Sequence, residues 1–157
     1  MREEYINQFR HFWRMFEKIV SDFDAHTWIH SGFALTTPAL VAFHILQSTK
    51  YYSGDSSPFV YESGRSIATD SGKLETRDLP SKEDIIYMMQ SVKSNTEKWL
   101  RNIKFEADNN DYKWTGLTRL SVVLFLIRHS QFHLGEINAL LNEYKNGKAE
   151  DHYANTV

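Results

Sequence analysis

The 157 residues suffice to bury one sizeable core but not two, so a single domain spanning 1–157 is expected. With 41% apolar and 14% aromatic residues but only 7 Gly and 3 Pro, the composition suits long helices better than a turn-rich sandwich. The 18 Lys plus Arg against 20 Asp plus Glu give a formal charge of −2, which offers no general attraction to nucleic acid or anionic lipid.

Cysteine is absent, which excludes disulfides, thiolate metal sites and a cysteine nucleophile, so a transition metal would be held by histidine and carboxylate. The opening "MREEYINQFRHFW" is charged and amphipathic, unlike a signal peptide. The apolar run "VVLFLI" is far shorter than the roughly 20 residues that span a bilayer. A cytoplasmic protein without a membrane partner is expected.

Tyr5, Phe9, Phe12, Trp13, Phe16, Ile19, Val20 and Phe23 recur at steps of three and four, predicting a first helix over about residues 2–23. A second begins at "TTPAL", where Thr37 can cap and Pro38 suits the first helical position, and runs to about Tyr52. A third opens at "PSKED" with Ser81 as N-cap, Asp84 three residues on and Glu83 in the first turn. Its buried stripe is Ile85, Met88, Met89, Val92, Thr96, Trp99 and Ile103, and Lys98, Arg101 and Lys104 at its far end read as compensation of the carbonyl dipole. A fourth helix is expected over about residues 116–144, stopped by Gly147 as a left-handed terminator, with a flexible tail over about 147–157.

Residues 53–80, "SGDSSPFVYESGRSIATDSGKLETRDLP", form a connection much longer than an ordinary helix-to-helix loop. A helix of about 15 residues is about 22 Å long, and a segment of this size can return along it. The second and third helices would then run parallel, giving an all-α, up-down-down-up four-helix bundle. Phe59, Val60, Tyr61 and Ile67 are expected to pack the crossover onto the helices, where it covers the mouth of any site.

The stripe of the fourth helix is Val122, Leu126, His129, His133, Glu136 and Leu140, so two imidazoles one turn apart face the interior. Buried without partners, each would cost about 1 to 3 kcal/mol. The second helix carries Thr37, Val41, His44, Ser48 and Tyr51 at a/d-like spacing, which puts His44 on its own inward seam. Three imidazoles from two facing helices can converge on one divalent ion and leave a coordination position open. The alternative is that these are core histidines satisfied by one another, by Gln47, by Glu136 or by buried water. His11, His26, His30 and His152 read as surface residues.

The segments "AFHILQSTKYY" and "RHSQFHLGEINALL", with "WIHSGFALTTPA" and "TGLTRLSVVLFLIRH", resemble the DinB-like superfamily, which includes bacillithiol transferase-like proteins once filed as putative metal-dependent hydrolases. The resemblance covers nearly the whole chain. It implies an up-down-down-up four-helix bundle with a divalent metal on one histidine of the second helix and an H-x-x-x-H pair of the fourth, here His44, His129 and His133. It also implies a homodimer and, in members of known activity, the use of a low-molecular-weight thiol such as bacillithiol or mycothiol, while the family name does not imply DNA binding, in agreement with the acidic balance.

Zinc, nickel and iron all accept imidazoles. An open position on such an ion can bind a thiol and present thiolate to an electrophilic substrate, or bind water for hydrolysis with a nearby carboxylate base. Ser130 stands where the zincin motif H-E-x-x-H has its glutamate, so the metalloprotease reading fails. Glu136, three residues beyond His133, and Gln47, one turn after His44, are candidates for orienting the ligand rings. A metal-dependent thiol transferase is the expectation, with a metallohydrolase and a non-catalytic bundle as alternatives and no catalytic residue assigned. Haem is disfavoured, because an i, i+4 pair aims both rings at one point.

Overall fold

The computed structural model describes residues 1–32, 35–67, 74 and 78–154. These form helices and no named strand, in the order α1 (Arg2–Asp22), α2 (Ala25–Trp28), α3 (Pro38–Tyr52), α4 (Lys82–Asn102), a 3-10 turn at Lys113–Thr115, and α5 (Arg119–Tyr144). Four helices are long, and α3, α4 and α5 are the second, third and fourth predicted helices. None of the helices is long and apolar enough to cross a membrane.

Local chemistry sets most of the boundaries. Thr37 accepts from the Leu40 N–H at 3.2 Å ahead of Pro38, so α3 starts where proline's missing donor does no harm. Ser81 and Asp84 cap α4 reciprocally, the Asp84 N–H donating to Ser81 Oγ at 3.1 Å and the Ser81 N–H to Asp84 Oδ2 at 3.2 Å. At the end of α5 the 2.8 Å bond from the Gly147 N–H to the Asn142 carbonyl and the 3.1 Å bond from the Asn146 N–H to the Glu143 carbonyl make a Schellman closure. The first left-handed residue there is Asn146, at φ 51°, with Gly147 following at 75°.

α5 starts three residues later than expected. Gly116 has φ 139°, and a Cβ on it would lie 2.5 Å from Ser121 Oγ, so the chain turns sharply before the helix can begin. The buried Asn109 amide holds that turn by donating to the Tyr112 carbonyl at 2.7 Å, Thr115 Oγ1 at 2.9 Å and the Gly116 carbonyl at 2.8 Å. α2 is a second departure, a single turn in what reads as loop. Asp24 caps it, and it buries Trp28, whose indole N–H donates to the Pro80 carbonyl at 2.9 Å.

The inward face of α1 buries Phe9, Phe12, Trp13, Phe16, Ile19 and Val20 as the spacing predicts, with Ile6 and Met15 added. In α4 the buried stripe closes on Leu100, with Trp99 half-buried against the core. Each large apolar side chain removed from water contributes about 1.5 to 3 kcal/mol, so these faces dictate which sides meet. α1 packs on α4 and α5, and α3 packs on the same two helices.

Contacts at the helix ends give the directions. The Arg2 guanidinium donates to the carbonyls of Leu100 at 3.1 Å and Ile103 at 3.0 Å, so the first turn of α1 meets the last turn of α4. Arg2 thus adds a cation at this helix end, where Arg101 stands in the last turn of α4 and also pairs with Glu97 and Glu3. Lys145 pairs with Asp22, and the Phe23 and Tyr144 rings lie 6.2 Å apart, so α1 and α5 end together. Along α3 and α5, His44 sits beside His133 and Ser48 beside His129, which is antiparallel.

Two further expectations are corrected. His152 is buried, at 6% exposure, with Nε2 3.2 Å from Asp22 Oδ2, so the tail as far as this residue is docked on the end of α1. Tyr51 faces solvent at 63% exposure, because the last turn of α3 has rotated Tyr52 toward the core in its place. In the crossover, Phe59, Tyr61 and Ile67 are buried as predicted, and Val60 bridges to Ser66 across the turn at Gly64. The parts of the predicted crossover at 68–73 and 75–77, and of the tail at 155–157, lie outside the described residues.

Candidate metal centre

α3 and α5 bring His44, His129 and His133 together. Ring centroids are 5.2 Å apart for His44 and His129, 4.6 Å for His44 and His133, and 4.4 Å for His129 and His133. The planes cross at 71°, 83° and 81°, so each ring stands nearly perpendicular to the other two. One nitrogen from each lies within 4.8 Å of the others, which makes the trio a group that can hold a metal ion. With metal–nitrogen bonds of about 2.1 Å, two nitrogens in a tetrahedral site are about 3.4 Å apart, so donors near the 4.8 Å limit must draw closer to share one ion.

The donor chemistry fits as well. Burial, reinforced by the neighbouring His133, holds the His44 ring below the ordinary histidine value. Burial, followed by His133 and His44, pushes His129 down to about 4. Both rings are neutral at pH 7 and present lone pairs. His133 donates from Nδ1 to Glu136 Oε2 at 2.5 Å, which fixes its tautomer and leaves Nε2 as the atom that can offer a lone pair to an ion.

Ser48 is a participant that the seam pattern contained without assigning it a part. Its Oγ lies 3.1 Å from His129 Nε2 and 3.4 Å from His44 Nε2, one turn along α3 from His44. The hydroxyl lies within reach of part-buried ring nitrogens from both helices and can donate its one proton to either, which lowers the cost of holding the rings near one another. Phe125 stacks on His129 at 5.2 Å and 24°, covering one face of that ring, and the exposed Phe132 meets His133 edge-on at 5.2 Å.

A cavity of about 420 Å³ opens beside His44, walled by Gln47, Lys50, Tyr51, Tyr52 and Phe59 among others. Gln47 thus lies on the wall of the cavity that His44 borders. Residues 55–57 and Phe59, from the start of the crossover, form part of the lining. Lys50 and Asp55 pair at 2.8 Å within it, both largely buried. Burial alone would raise the Asp55 carboxyl, but hydrogen bonds from Lys50, Ser57 and Asn95 outweigh it and hold the group well below the ordinary carboxylate range.

The other histidines lie elsewhere. His11 contacts Arg14, the His26 and His30 rings pack together at 4.0 Å on exposed residues, and His152 docks on Asp22. No family profile matches the chain, and neither a curated protein nor a solved structure matches it.

Proposed function

We propose that the four long helices form an up-down-down-up bundle of the DinB-like kind, and that His44, His129 and His133 hold one divalent ion in a thiol-dependent transferase. The convergence of three mutually perpendicular imidazoles from α3 and α5 carries the reading. The helix-end contacts support the bundle order, with α1 and α5 running one way and α3 and α4 the other. Zinc, nickel and iron all suit an all-imidazole site.

An ion in this place supplies Lewis-acid charge that favours the thiolate form of a low-molecular-weight thiol at neutral pH. The protein's own residues do the rest. His44 and His129 stay neutral through burial, Glu136 orients His133, and Phe125 limits water around His129. The transferase is favoured over a hydrolase because the carboxylates near the cavity are engaged, Glu136 by His133 and Asp55 by Lys50, Ser57 and Asn95. A hydrolase needs a carboxylate positioned to accept a proton.

Elemental analysis of protein purified without a histidine tag tests the site, with about one transition-metal ion per chain expected in the wild type and loss in His44→Ala. Metal-free wild-type protein that binds no added zinc, nickel or iron would reduce the chain to a helical bundle with buried histidines. Conjugation of bacillithiol or glutathione to a monohalobimane tests the reaction, with metal-dependent turnover expected and abolished in His129→Ala. Turnover of ester or phosphoester libraries without added thiol would favour the hydrolase.

A further inference from the structure

Phe125, which covers His129, is one edge of a wall of aromatic rings whose other members the metal chemistry does not use. Phe125, stacked on His129, meets Tyr52 at 4.8 Å and Trp114 at 4.6 Å. Tyr112 continues the wall, 5.0 Å from Tyr52 and 5.3 Å from Tyr51. Trp114 is 64% exposed and Tyr51 63%, so two large rings of the wall stand in water, and Tyr51 also lines the cavity that His44 borders. Clustered exposed aromatic surface marks a place of binding more often than scattered apolar residues do.

The rings are also held in place. Trp114 sits on the 3-10 turn that the buried Asn109 amide braces, and the Tyr112 hydroxyl donates to the Tyr51 carbonyl at 2.6 Å. A surface fixed before binding loses little freedom when it is covered. The cavity of about 420 Å³ falls in the size range of small-molecule sites, roughly 300 to 1,000 Å³, and Tyr51 and Tyr52 are common to cavity and wall. The charges in its lining are compensated, since Lys50 is paired with Asp55.

We propose that the wall of Tyr51, Tyr52, Tyr112, Trp114 and Phe125 is the recognition surface for an uncharged substrate carrying a flat aromatic ring, placed so that its reacting group lies toward the imidazole trio. This rests on the reading of the trio as a metal site and adds the substrate class. Ring–ring contacts of this kind contribute about 3- to 10-fold in affinity beyond the area they bury. The discriminating comparison is therefore between a flat ring and its saturated counterpart.

Equilibrium dialysis of the full chain against 2-naphthol and decahydro-2-naphthol reads this directly. Tighter binding of 2-naphthol by about 3- to 10-fold is expected, with a similar loss in Trp114→Ala and in Tyr51→Ala and none in the tail control Tyr153→Ala. Circular dichroism and metal content of the two wall variants should match the wild type. Indifference of 2-naphthol binding to both wall substitutions, or equal affinity for the two ligands, would overturn the proposal. So would sedimentation showing that Trp114→Ala turns a dimer into a monomer, because the wall would then belong to a second copy of the chain. Naphthol binding that follows the wall variants in a protein unable to take up metal would sink the proposed function and leave the wall standing; a metal-loaded protein indifferent to the wall variants would do the reverse.

Discussion

His133 and Glu136 are joined by a hydrogen bond of 2.5 Å within one turn of α5, Nδ1 donating to a carboxylate oxygen. The bond sets which face of the imidazole looks at His44 and His129. Glu136→Gln keeps the shape but replaces a charged acceptor by a neutral one, and the loss of such a partner typically weakens metal binding about 10- to 100-fold. Competition against a chromophoric chelator measures it, with helicity expected to stay constant. Unchanged affinity would remove Glu136 from the site.

The metal-free protein should lose stability as pH falls from about 6.5 toward 4. His129 titrates near 4 when folded and near 6.5 when unfolded, so between these values the unfolded chain binds more protons and folding is penalised. The slope from one such group is at most about 1.4 kcal/mol per pH unit, and its effect is flat above the upper value. His44 is shifted in the same direction. Urea denaturation at pH 4.5, 5.5 and 7 reads the slope, which should shrink in His129→Gln; an identical slope in that variant would contradict the assignment.

Lys50 and Asp55 are largely buried partners, so removing one strands the other. Asp55→Ala should cost about 3 to 5 kcal/mol, while the double variant Lys50→Met with Asp55→Ala should recover much of that loss. The double-mutant cycle, followed by chemical denaturation, isolates the coupling. Because the folded carboxyl is depressed, its contribution is present above the unfolded value near 3.9 and fades as pH drops below it. Equal stability of Asp55→Ala and wild type would show that the pair is solvated.

Gly116 turns the chain into α5 with a positive φ and no space for a methyl group. Gly116→Ala should destabilise by about 1 to 3 kcal/mol. Pairing it with Ser121→Gly relieves the contact with Ser121 but not the backbone strain, so only partial recovery is expected in thermal melts.

How much of this was legible in the sequence depended on whether the signal was local. His129 and His133 sit four apart on a periodic stripe, His44 lies on the seam of another, and period alone brings such residues inward. The caps at Thr37 and Ser81 are equally local. His152 carried no such signal, since its partner Asp22 is 130 residues away and the tail has no periodicity to mark a docked residue. Trp114 was hidden for a related reason, because the braced turn that presents it depends on three hydrogen bonds from one asparagine, not on a repeat. Tyr51 was misplaced where the stripe reached the last turn of its helix, where one residue's step of about 100° decides between core and water.

The trio draws one donor from α3 and two from α5, segments 85 residues apart in the chain when counted from His44 to His129. An ion bound there would be a cross-brace between two antiparallel rods as well as a reagent. Occupancy and thermal endurance would then rise together, and a melting curve taken with and without chelator would register the ion before any substrate is known.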